Sequence, residues 1–215
     1  IGNIFKYLEK NKISKIVLLG KIKKKSLFKI RPNLITLYYL LILCFHYNRG
    51  DGRLINKIID LFYKKNIKIL DPRIFLKNNL NNKKDKNNLN LNNILSNKKI
   101  REYFLIAKKY SKNDFGQSVI ISNNKIILGE DDNGTDFLIK KFADLKFKDP
   151  AFLVKVTKPH QSLKVDLPTI GPTTINNIVS AGLKGLIVED KKTLVENPSL
   201  TFKIIKNNNL FYYAY

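Results

Sequence analysis

The chain has 215 residues, 44% of them hydrophobic, and a net charge of +23. That length can bury one large core or two small ones, and that apolar content excludes a disordered protein. Only five of the 40 basic residues are arginine (Arg31, Arg49, Arg53, Arg73 and Arg101), and lysine travels with 26 asparagines and abundant Ile, Phe and Tyr. These types share A/T-rich codons, so the charge reads as compositional drift over solvated faces more readily than as a nucleic-acid surface, which leans on arginine for bidentate contacts. The cationic surface still favours an anionic substrate or an anionic membrane leaflet. A single cysteine, Cys44, excludes a disulfide within the chain and a cysteine-based zinc site. His46 and His160 form no His-x-x-x-His pair. The absence of methionine and a helical pattern beginning at Ile1 lead us to expect an internal fragment that lacks the front of its first domain.

In chain order, residues 1–10 read as an amphipathic helix and "KIVLLG" (15–20) as a buried strand ending in glycine. Residues 34–47 are almost wholly apolar but fall short of the roughly 20 residues a membrane span needs, so they read as a buried core helix. "RGDG" (49–52) breaks the chain, Leu54 to Lys65 repeats at helical spacing, and "IKIL" (67–70) forms a strand before the turn at Asp71-Pro72. An Asn/Lys tract at 77–98 cannot build a core and reads as the linker between domains 1–76 and 99–215. Beyond it the pattern predicts a helix near 99–111, a hairpin in 116–130 turning at Ser-Asn-Asn, and a helix over 134–147. A strand at 151–157, a helix at 173–183, a strand at 185–189, a helix at 197–208 with proline at its start, and a final strand complete the chain. The fold class expected is α/β with two α/β domains: an N-terminal one, incomplete, that reads as the back half of an open α/β layer, and a mixed C-terminal one.

No Walker A loop, Gly-x-Gly-x-x-Gly, Gly-x-Ser-x-Gly or kinase signature is present. What remains are polar turns after apolar runs: "GDG" (50–52), "DFGQS" (114–118), "NGTD" (133–136) and "KVTKPHQSLKVDLPTIGPTT" (155–174). Gly134 permits close backbone approach, and Thr135 or Asp136 can cap a helix whose exposed N–H groups would hold an anion, although a plain N-cap explains the same residues. In 155–174, Lys155, Lys158 and Lys164 gather around Asp166, and one carboxylate with water and substrate phosphate suffices for magnesium. Taken alone, Asp166 reads first as an Asx-turn before Pro168. His160 and Asp51 read as surface and turn residues.

The segment "VKVTKPHQSLKVDLPTIGPTTINNIVSAGLKGLIVE" resembles the signature of the LpxI-type UDP-2,3-diacylglucosamine pyrophosphatases. "DFGQSVII", "NGTDFLI", "NRGDGRLI" and "KIVLLGKIKK" extend the likeness over nearly the whole chain except the linker, and the last of these resembles the end of the family's N-terminal domain, which implies that residues 1–76 are the remainder of a Rossmann-like domain. The resemblance implies a cytoplasmic step of lipid A synthesis at or near the inner membrane. The pyrophosphate of UDP-2,3-diacylglucosamine would be hydrolysed to UMP and 2,3-diacylglucosamine 1-phosphate with a divalent cation, typically Mg2+, by a protein that commonly dimerises and has no nucleic-acid partner. It implies that Asp166 is the essential catalytic and metal-binding aspartate. Lys155, Lys158, Gln161, Thr169, Gly171, Thr173, Gln117, Gly134, Thr135 and Asp136 would contact the substrate. Two departures stand out: Asn133 replaces an expected glutamate and Lys164 an expected arginine. Asn133 supports a rival reading, a degenerate homologue that binds a nucleotide sugar without cleaving it. The other rival is a non-enzymatic nucleic-acid-binding module using the lysines.

Overall fold

The computed structural model describes residues 2–19, 51–80, 94–113, 116–159 and 161–215. The expected helix at 34–47 with Cys44 and His46, most of the Asn/Lys tract, Asp114 and His160 lie outside the described residues, as does the side chain of Asp51. The fold is mixed α/β, and the chain divides into two compact units: Ile1–Phe75 with His160–Asp166, and Leu76–Pro159 with Leu167–Tyr215.

In the first unit helix α1 (Gly2–Lys10) leads to strand β1 (Lys15–Ile16), and helix α2 (Asp51–Lys64) leads to strand β2 (Lys68–Ile69). The two strands pair in parallel. Phe5 and Leu8 of α1 meet Ile59, Leu61 and Phe62 of α2 over Ile67 and Ile69, with the Phe5 and Phe62 rings edge to face at 4.9 Å. Both strands are shorter than their apolar runs suggested. Leu19, at the far end of "KIVLLG", is exposed, whereas Leu18 beyond β1 still packs against this core. Val165 packs against this core, which explains why His160–Asp166 group with the first unit although the sequence places them in the C-terminal domain.

The second unit is built on a five-stranded sheet in the order β4-β3-β5-β7-β9. Its strands are β3 (Ser118–Ser122), β4 (Lys125–Gly129), β5 (Phe152–Lys155), β7 (Gly185–Val188) and β9 (Phe211–Ala214). The β3/β4 and β3/β5 pairs are antiparallel, whereas β5, β7 and β9 run parallel. The hairpin turns on Asn123 and Asn124, both left-handed at φ 47° and 62°. Asparagine tolerates that region, and two such residues give the turn whose twist matches the strands. Strands β5 and β7 are buried throughout because helices cover both faces, so their sequences are unbroken apolar runs rather than alternations.

Helix α3 (Asn97–Ser111), capped by Ser96 Oγ, covers one face over Val119, Ile121, Phe152, Val154 and Ile187. Helices α4 (Thr135–Asp144), α5 (Pro172–Ser180) and α6 (Pro198–Asn207) line the core on the other face, over Ile120, Leu153, Leu186, Val188 and Tyr212. Proline opens both α5 and α6, where its missing N–H has no intrahelical acceptor to lose. Helix α5 ends at Gly182 (φ 74°), with Leu183 N–H returning to the Ile178 carbonyl at 3.2 Å. The sequence pattern did not predict the short parallel pair β6 (Thr169–Ile170) and β8 (Leu194–Val195). Two-residue strands are too short to show a period.

Candidate functional site

The carboxyl ends of β5, β7 and β9 share one sheet edge with the start of β3 and the end of β4. In open α/β sheets this edge is where ligands bind, because helix N-termini face it. Ser118 pairs with Lys155 across β3 and β5, and Glu130 N–H bonds the Ser118 carbonyl at 2.9 Å. Side chains at matched positions of neighbouring strands project from the same face. Glu130, Ser118 and Lys155 therefore form a row on the face that α4 covers.

Lys155 is 4% exposed. Its Nζ donates to Thr135 Oγ1 at 2.6 Å and approaches Ser118 Oγ at 3.4 Å, while the two hydroxyl oxygens lie 3.1 Å apart. Thr135 opens α4, whose N-cap is Gly134 at φ 87°, with no side-chain cap and open space where a Cβ would stand. A buried ammonium, two hydroxyls and the start of an α-helix form an anion-holding set. Glycine at the cap leaves the backbone open to a ligand, and any other residue would be strained at that φ. Asp136, one residue on, is exposed and accepts from Asn177 Nδ2 of α5 at 3.3 Å. Asn133, the residue standing where glutamate was expected, donates its backbone N–H and its side-chain amide to Asp131 Oδ1 at 2.8 and 3.0 Å. The backbone N–H of Asn133 is the main reason the exposed Asp131 carboxyl lies below its usual range.

The first unit carries Asp166. Its Oδ2 accepts from Gln161 Nε2 at 2.8 Å, and its N–H closes a turn onto the Ser162 carbonyl at 2.9 Å. Gln161 thus fixes the orientation of a half-buried carboxylate. An aspartate is a hard oxygen donor that suits a divalent cation such as Mg2+. The described residues hold no group of three or more His, Cys, Asp and Glu side chains able to bind a metal ion. Lys164, in the same turn, reaches Tyr63 Oη at 3.4 Å.

Thr169 is exposed, and its hydroxyl donates to the Leu167 carbonyl at 3.1 Å. Gly171 is the buried N-cap of α5, and Thr173 is exposed on its first turn. A Cβ at Gly171 would stand 2.6 Å from Glu196 Oε2, so a carboxylate already lies beside the start of α5. Gln117 accepts from Val156 N–H through its main-chain carbonyl at 2.8 Å, and Lys158 is half-buried just beyond β5.

Sequence reasoning missed a second cluster at the same edge, on the α3 face. Lys108 Nζ donates to Glu189 Oε2 at 2.7 Å and to Thr157 Oγ1 at 2.9 Å, Thr157 N–H and Oγ–H both donate to Glu189 Oε2, and Lys192 holds Glu189 Oε1 at 2.8 Å. Burial by itself would raise the Glu189 carboxyl, but hydrogen bonds from Lys108, Lys192 and Thr157 outweigh it and hold the group at about 2. The clue in the sequence was a carboxylate directly after the apolar run "GLIV". No spacing rule joins it to Lys108 on another helix.

Residues 1–79 match the family model of the LpxI N-terminal domain and residues 90–213 that of the LpxI C-terminal domain. The chain belongs to the LpxI family. A curated relative, the UDP-2,3-diacylglucosamine pyrophosphatase LpxI of Caulobacter vibrioides, is 33% identical over 97 residues. That match takes in 42% of this chain and 35% of the relative, so the chain spans about a third of that relative's length. No helix among the described residues is long and apolar enough to cross a membrane.

Proposed function

We propose that the chain hydrolyses the pyrophosphate bond of UDP-2,3-diacylglucosamine, giving UMP and 2,3-diacylglucosamine 1-phosphate in lipid A synthesis. The observation that carries this reading is the anion-holding set in a chain of the LpxI family: buried Lys155 with Thr135 and Ser118 at the glycine-capped start of α4. Hydrolysis of a phosphoanhydride needs neutralised charge and an aligned water more than a side-chain nucleophile. Lys155 Nζ, the Thr135 hydroxyl and the first N–H groups of α4 would hold phosphate oxygens, with Lys158 adding charge. Asp166, oriented by Gln161, would hold a divalent cation, which when bound supplies charge neutralisation. The same carboxylate would orient the attacking water. The two acyl chains place the work at a membrane surface, for which a cationic chain is suited.

The test is UMP release from UDP-2,3-diacylglucosamine with and without Mg2+, in the parent chain and in Asp166→Ala. Mg2+-dependent release that falls by at least about 100-fold in the variant, with an unchanged melting curve, is the expected result. Full turnover in the variant would remove Asp166 from the site.

A further inference from the structure

Glu130 has no part in the chemistry above, yet it stands in the same row as Lys155. It is 7% exposed, and its Oε2 is buried without a hydrogen-bond partner among the described residues. A buried carboxylate oxygen left unmatched is costly, and such atoms in native structures point to an absent partner. The main chain around it is firmly placed. Glu130 N–H bonds the Ser118 carbonyl, and the Tyr110 hydroxyl donates to the Glu130 carbonyl at 2.8 Å. Gly116 presses against it so closely that a Cβ there would stand 2.7 Å from Glu130 Cβ. The backbone is thus clamped from three sides while one carboxylate oxygen is left open to a donor.

The register says what that donor belongs to. Glu130 and Lys155 flank Ser118 on adjacent strands, so two strand spacings, roughly 10 Å, separate their backbones. A bare phosphate on Lys155 would gain nothing from a second, acidic group in its row. A ligand that carries an anion at one end and neutral O–H or N–H donors at the other would satisfy both. We propose that Glu130 is a nucleoside-recognition residue, whose Oε2 accepts a hydrogen bond from a ribose hydroxyl or a base N–H of the nucleotide whose phosphate lies on Lys155 and the α4 N-terminus. The inference rests on the nucleotide-pyrophosphatase reading and adds to it the group that separates a nucleoside phosphate from inorganic phosphates.

The test is calorimetric titration of the chain with UMP and, separately, with inorganic pyrophosphate, in the parent, Glu130→Ala and Glu130→Gln. Glu130→Ala keeps the Cβ that Gly116 packs on, and Glu130→Gln keeps shape and one acceptor oxygen; melting curves verify that both fold. UMP binding weakened by roughly 10- to 100-fold in Glu130→Ala, with a smaller loss in Glu130→Gln and pyrophosphate binding unchanged, is the expected pattern. UMP binding unchanged in Glu130→Ala overturns the inference and assigns Oε2 to a structural water, while the nucleotide reading stands. Equal losses for UMP and pyrophosphate overturn it too, in favour of a general structural role. A parent chain that binds neither probe overturns the underlying reading and the inference together.

Discussion

Lys155 and Glu189 lie at one sheet edge on opposite faces, and their surroundings set them different tasks. Lys155 meets two hydroxyls and the start of α4, the set proposed above to hold phosphate oxygens. Lys155→Met should keep the packing volume, since Met fills the same space, and remove the anion anchor. UMP release is expected to drop by on the order of 100-fold, with a stable fold in thermal melts. Glu189 is enclosed by donors that bind its charged form, so its role is structural. A carboxyl depressed to about 2 in the folded state contributes stability that is full above its unfolded value near 4.5 and fades as pH falls toward 2. The contribution is about 3 kcal/mol at most. Denaturant titrations should therefore show acid destabilisation between those pH values that is absent in Glu189→Gln. At neutral pH that variant should be about 2 kcal/mol less stable, a moderate loss because Lys108 and Lys192 are partly exposed and can turn to water.

At the scale of elements, the parallel strands β5, β7 and β9 fix where the edge lies, and close backbone contact holds β7 against β9. Gly185 opens β7 at φ 151°, and a side chain there would run into the Phe211 carbonyl. Gly185→Ala should therefore part the β7/β9 ladder and destabilise the unit by at least about 3 kcal/mol, measurable as a large fall in melting temperature. Local sequence is a good guide to such elements where turn chemistry and apolar runs agree. The hairpin at Asn123-Asn124, the proline start of α6 and the glycine end of α5 were all legible for that reason. The pair β6/β8 was not, because its hydrogen bonds join segments more than twenty residues apart and each strand has two residues.

For the whole molecule, a charge of +23 on 215 residues places repulsion among lysines that are mostly solvated. Raising NaCl from roughly 0.01 to 0.2 M should increase the melting temperature by screening that repulsion. If the lysine excess is compositional, binding to random DNA should be weak at the higher salt and equal in Asp166→Ala. Two compact units are present, with the Asp166–Gln161 pair in the first and the Lys155–Thr135–Ser118 set in the second. The long apolar runs predicted an α/β chain of two domains, and the family match covers both.

By itself the sequence determined the fold class, the turns and helix ends, and the family, because these depend on residue type and on spacing within a few neighbours. It also marked Lys155, Thr135 and Asp166 as polar residues at the ends of apolar runs. The tertiary structure alone decided which of these meet and in what surroundings. Lys155 is buried against hydroxyls from β3 and α4, Asp166 is oriented by Gln161 on a turn of the first unit, and Glu189 is ringed by donors from three segments. The unmatched oxygen of Glu130 belongs to the same class of fact. Burial and hydrogen-bond balance are properties of strand register and helix placement, and no stretch of sequence contains them.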